Sequence, residues 1–220
     1  MPSRTYLTAK TQSVFGDKTR GKILKQSLAL FNQYGYDRVT TAQIAKVTSI
    51  LEGTLWYHFN TKQALVLEHL TALETRLDDH LRKPIPEPLP LILEDLEEVF
   101  MLLWDFRYVL SDNLQQIVGA GTDTPRLRNV YVSVEAMVQQ RLLQAQSFDL
   151  LNLEGVNIES LATSCVMIGR YWIDYVTVRD AGPKTPDMVR LEGMAQFISV
   201  LQPYLTEKSL RFQAQNLAKS

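Results

Sequence analysis

Apolar residues recur at three- and four-residue spacing along almost the whole of this chain, a periodicity that suits helices and little else. Ile23, Ser27, Leu30, Phe31 and Tyr34 fall on one helical stripe, and Gly35 follows where a left-handed helix end is expected. Leu127, Val130, Tyr131, Val134, Met137 and Val138 mark one side of a helix from Pro125 to Phe148. No sustained apolar–polar alternation bounded by Asn-Gly or Asp-Gly turns interrupts this pattern, so an all-α fold of about nine helices is expected.

The same spacing predicts short helices from Thr41 to Val47 and from Ile50 to His58, and a long fourth helix starting near Thr61. The segment Pro84 to Pro90 (PIPEPLP) cannot continue that fourth helix and opens a second region. Further helices are expected from Leu91 to Val118 with a break near Asp112, from Ile158 to Arg179 and from Met188 to Leu205. The loops GAGTDTP and AGPKTP separate them, and the polar tail from Thr206 is expected to fray. Residues 1–17 are expected to be a flexible arm that carries Arg4 and Lys10, with a solvated tail as the blander reading.

Composition adds limits. Of 220 residues, 45% are hydrophobic and 21% charged, ordinary values for a chain with a real core. The single cysteine, Cys165, excludes an internal disulfide framework, and its apolar setting suggests a packed thiol. The longest apolar run, Val99 to Trp104, is far short of the roughly 20 residues a membrane span needs. The first residues lack the apolar centre of a signal peptide. A cytoplasmic protein is therefore expected. The net charge of −1 conceals an asymmetry. Residues 1–62 carry nine Lys and Arg against three acids, a net of +6, and the rest carries −7. One end of the chain is thus suited to a polyanion.

Two short helices joined by a tight turn after one long helix make the skeleton of a helix-turn-helix DNA reader. The ordered residues Leu30-Phe31, Tyr34-Gly35-Tyr36, Ile44-Ala45 and Gly53-Thr54-Leu55-Trp56-Tyr57-His58-Phe59-Asn60-Thr61-Lys62 resemble the DNA-binding domain of the tetracycline-repressor (TetR) family. The match covers about residues 20–70. The resemblance implies a DNA-binding domain over residues 18–65 and an effector-binding and dimerisation domain over residues 66–220. It implies a homodimeric, ligand-responsive repressor on a palindromic operator of double-stranded DNA. A ligand-independent architectural or protein-interaction module of the same fold is the alternative.

Roles follow from the resemblance residue by residue. Thr40, Thr41 and Ala42 stand at the start of the bracing helix, where hydroxyls and free N–H groups would meet phosphate. Glu52, Gly53 and Thr54 begin the recognition helix, and Trp56, Tyr57, His58 and Lys62 would contact groove walls and phosphates. Glu52 either accepts from a cytosine amino group or stands as a solvent-facing carboxylate. Three positions depart from the family pattern: Ser49 replaces the usual turn glycine, Leu51 the usual capping serine, and Trp56 the usual tyrosine. An atypical operator is expected from them.

The second region is rich in aromatic and sulfur side chains. Phe100, Trp104, Arg107, Tyr108, Tyr131, Met137, Met167 and Tyr171 are candidates for the pocket of a small apolar or amphipathic effector, with Asp105, Asn113 and Arg170 as further polar groups. No cofactor or metal is expected: His69 and His80 stand about 16 Å apart along a helix, too far to share an ion. No acid–base or nucleotide-binding constellation suggests an enzyme.

Overall fold

The computed structural model describes residues 7–83, 89–110, 124–179 and 186–211. Within them the chain forms α1 (Ala9–Phe15), α2 (Thr19–Tyr34), α3 (Thr41–Thr48), α4 (Glu52–His58), α5 (Lys62–Leu81), α6 (Leu89–Asp105), α7 (Thr124–Ser147), α8 (Ile158–Arg179) and α9 (Pro186–Leu201). A short 3₁₀ turn, Gln202–Tyr204, follows α9. The described residues contain no sheet, only a single antiparallel bridge between Leu151 and Leu205. The all-α expectation holds.

The chain divides into two compact units, 1–80 with 101–130 and 81–100 with 131–220, so the boundaries fall at the last residue of α5 and inside α6 and α7. In the first unit α2 buries Ile23, Leu24, Ser27, Leu28 and Phe31. The buried stripe is therefore rotated from the expected one, and Tyr34 lies exposed at its edge. Gly21 is required by close approach: a Cβ there would stand 2.0 Å from the Phe15 carbonyl oxygen at the end of α1. Gly35 takes φ 81°, the positive value expected of it, but an extended ψ of 152°.

The segment expected to be a flexible arm through residue 17 is helical over Ala9–Phe15. Thr8 caps this helix by accepting from the Thr11 N–H. The backbone N–H and hydroxyl of Thr8 both donate to the buried Asp105 carboxylate, at 3.0 and 2.6 Å. Leu7 is buried, and the Phe15 ring meets His69 edge-on. An exposed heptamer gains little from propensity alone, so these tertiary contacts hold α1. Arg4 lies outside the described residues.

The expected helix from Leu91 to Val118 instead ends at Asp105, where the chain turns through residues 106–110. Asn32 of α2 secures this turn. Its side-chain amide donates to the Asp105 carbonyl at 2.6 Å and its side-chain oxygen accepts from the Tyr108 N–H at 3.1 Å. Residues 111–118, most of PIPEPLP, and the two expected loops lie outside the described residues, except for their last positions.

In the second unit α7 buries Val134, Met137 and Val138 as its spacing predicts. Gly193 of α9 admits close packing: a Cβ there would stand 2.4 Å from the Phe100 ring and 3.0 Å from Trp172. Pro203, which cannot continue a helix, coincides with the 3₁₀ turn that ends α9 short of the expected Leu205. Cys165 is buried, and burial pushes its thiol up to about 11, as befits a packing residue.

Candidate nucleic-acid interface

Thr40 opens α3 with a capping box. Its hydroxyl accepts from the Gln43 N–H at 3.2 Å, and the Gln43 side-chain oxygen accepts from the Thr40 N–H at 2.8 Å. The helix closes in a Schellman motif: the Ser49 N–H donates to Lys46 and the Ile50 N–H to Ala45. Ser49 takes the left-handed conformation, φ 59° and ψ 44°, at the place where the resemblance implies glycine. A side chain there costs roughly 1 kcal/mol, so the turn geometry survives the departure at a modest penalty.

The tight turn sets α4 beside α3. Leu55 of α4 and Phe59 just beyond it are fully buried, and Ile44 and Ala45 bury the inner side of α3. The opposite side of α4 carries Gly53, Trp56 and Tyr57, all exposed, Tyr57 to 84%. Tyr57 and His58 meet edge to face with centroids 5.3 Å apart. Thr40 and Ala42 are exposed, and Thr41, Thr54, His58 and Lys62 are half-buried. The short helices therefore bring the ten expected residues into one stretch, Thr40 to Lys62, with no member in the core.

Two of these residues also have internal roles. The Thr41 hydroxyl donates to a Glu52 carboxylate oxygen at 2.5 Å, which ties the start of α3 to the start of α4. The Lys62 ammonium donates to the Tyr36 carbonyl at 2.5 Å and sits 3.9 Å from the centroid of the Tyr36 ring. Partial burial lowers its pKa. Lys62 thus fastens the start of α5 to the chain between α2 and α3, a role that sequence reasoning did not foresee. Thr61 caps α5 by accepting from the Ala64 N–H at 3.0 Å.

Behind this surface lies a buried polar cluster. The His69 Nε2–H points at the Leu24 carbonyl (3.0 Å), which can only accept. Nδ1 is then the acceptor for the Tyr108 hydroxyl at 2.5 Å. Burial pushes His69 down to about 3, so the ring is neutral. Arg107 donates to the Trp104 and Asn32 carbonyls and lies over the Trp104 ring. Arg126 grips Glu74 of α5 through two nitrogens, at 3.0 and 2.5 Å.

The eight expected pocket residues divide between the two units. Trp104, Arg107 and Tyr108 belong to the first unit, while Phe100, Tyr131, Met137, Met167 and Tyr171 belong to the second. Met137 is in the core, whereas Met167 and Tyr171 are exposed. Asn113 lies outside the described residues.

A family model described as bacterial regulatory proteins of the tetR family matches residues 23–69, and a second, described as bacterial transcriptional repressor, matches residues 71–212. The transcriptional regulator QacR of Staphylococcus aureus is 38% identical over 64 residues, 29% of this chain and 34% of that protein. The regulator UidR of Escherichia coli is 26% identical over 132 residues, 58% of this chain and 66% of that protein. The chain thus spans about a third to two-thirds of these relatives. A TetR-family transcriptional regulator from Marinobacter aquaeolei superposes with a TM-score of 0.72 at 25% identity, over 90% of this chain and 97% of that one. The two matched segments, the helix-turn-helix of α3 and α4 and the shared all-helical fold agree: the chain belongs to the TetR family of DNA-binding transcriptional repressors.

Proposed function

We propose that this chain binds a palindromic operator as a homodimer through α3 and α4, and that a small, mostly apolar or amphipathic effector acting on residues 66–220 relieves repression. In this reading residues 18–65 are the DNA-binding domain. Thr40, Thr41 and Ala42 meet backbone phosphate, and Glu52, Gly53 and Thr54 face the bases. Trp56, Tyr57 and His58 follow the groove wall, and Lys62 offers its remaining N–H groups to phosphate.

The observation that carries the reading is Gly53. It is the second residue of α4, where glycine is less favourable than alanine, and a Cβ there would meet nothing within 4 Å. No internal contact and no positive φ asks for a glycine. Close approach of the helix backbone to a partner does. Gly53→Ala is therefore expected to raise thermal stability by about 0.5–1 kcal/mol while weakening DNA binding at least tenfold. Melting curves and fluorescence anisotropy on duplex DNA test the pair of effects; stabilisation with unchanged affinity would contradict it.

Support for the homodimer comes from an apolar surface in the second unit. Met167, Tyr171 and Tyr175 are exposed at successive four-residue steps on α8, and Met188 and Leu191 are exposed on α9. A contiguous apolar stripe of this kind marks an association surface. Tyr171→Glu with Leu191→Glu is expected to convert the protein to monomers in sedimentation and to abolish operator binding at nanomolar concentration. An unchanged dimer would place the interface elsewhere.

A further inference from the structure

We propose that Leu51 is a specificity residue that reads a thymine methyl group in the major groove. The proposal rests on the DNA-binding reading above. Leu51 is 80% exposed, and among the exposed large apolar side chains of the described residues only Tyr57 is more so. It stands at the N-cap of α4 with extended backbone, φ −72° and ψ 147°. Its carbonyl accepts from Thr54 and Leu55, at 3.0 and 3.3 Å, but its side chain makes no capping hydrogen bond. The free protein therefore gives up the cap that serine, threonine, aspartate or asparagine would supply, and leaves an isobutyl group in water. Serine would remove both costs at once.

The surroundings narrow what covers this side chain. Glu52, the next residue, has an oxygen engaged by Thr41, which orients the start of α4. Gly53 follows with open space around it. The surface at residues 51–53 is thus one projecting apolar group beside a bare stretch of helix backbone. Leucine has no donor, so it cannot serve phosphate. The major-groove edge of B-DNA offers one apolar group, the thymine C5-methyl, and apolar side chains read it by contact. Leu51 supplies such a side chain at the exposed start of α4, two residues before Gly53.

The test uses the full-length protein and duplexes enriched from a random pool. Each thymine of an enriched duplex is replaced singly by deoxyuridine, which removes only the methyl group. At one position in each half-site the wild-type protein is expected to lose about fourfold in affinity, the value of one buried methyl group. Leu51→Ser is expected to melt at the same or a higher temperature and to bind the thymine and deoxyuridine duplexes equally. An enriched duplex in which every thymine tolerates the change, or a Leu51→Ser protein that still shows the loss, would overturn the role of Leu51 alone. A pool with no enriched duplex would overturn the DNA-binding reading and this role with it.

Discussion

Changing Arg141 to methionine is expected to cost about 3–5 kcal/mol of stability, and changing Asp95 to leucine in the same chain is expected to restore most of it. Arg141 Nε on α7 donates to the Asp95 carboxylate on α6 at 2.6 Å, with side chains only 4% and 9% exposed. Such a pair gains little over apolar residues of similar volume, because both charges have left water. Removing Arg141 is different: the Asp95 carboxylate then loses its guanidinium partner in a low-dielectric interior. At 2–4 °C per kcal/mol for a chain of this size, the single change should lower the melting temperature by roughly 10 °C. The double change should melt within a few degrees of the wild type. Melts at one fixed protein concentration separate these outcomes, since association itself shifts the midpoint. A double variant as unstable as Arg141→Met would show that packing, not loss of the ion pair, carries the effect.

Acid should act on the first unit through His69. The ring titrates near its ordinary 6.5 in the unfolded chain, and only at about 3 in the folded one. Below 6.5 the unfolded state therefore binds a proton that the folded state does not. The stability of the neutral, buried ring is fully present above pH 6.5. It is lost at about 1.4 kcal/mol per pH unit as pH falls, reaching about 3 kcal/mol by pH 4. Asp105 works in the opposite sense, because burial raises its pKa and the folded state retains its proton longer as pH rises. The comparison that isolates His69 is the difference between wild type and His69→Gln, a variant that keeps a donor and an acceptor. That difference should slope with pH between 6.5 and 4 and be flat above 7. A flat difference throughout would mean that the ring is already charged or reached by water in the folded protein.

The parts of this account that the sequence made legible are those written in short-range pattern. The order of α2 to α5 and the turn at Ser49 depend on residues a few positions apart. They could be read because helix spacing and cap chemistry act locally. The end of α6 could not be read so. Asp105, Arg107 and Tyr108 stand in an aromatic-rich stretch that gives no sign of their hydrogen-bond partners. Their partners Thr8, Asn32 and His69 lie 39 to 97 residues away in the chain. Nothing periodic announces such pairings. They arise because buried donors and acceptors must find one another once the helices pack. The same long-range bonds turned the expected arm into α1. The one local hint was an aspartate at the end of the apolar run from Val99 to Trp104, a place where an ionisable group needs a partner.

Lys62 and Glu52 carry a related lesson. The family motif marks both for DNA, and both are engaged within the protein as well, at Tyr36 and Thr41. Their contribution to binding then includes holding α3, α4 and α5 in register. Loss of affinity on substituting either would mix lost contact with lost geometry. Tyr57, Trp56 and Gly53, exposed on α4, give the cleaner reading.

The central claim is that the α3–α4 face meets the duplex. Hydrogen exchange of the full chain, with and without an enriched duplex, tests it most directly. The account predicts slowed exchange concentrated in residues 40–62, with α8 and α9 unchanged by DNA. Protection centred on α8 and α9, or none between residues 40 and 62 under saturating duplex, would contradict it.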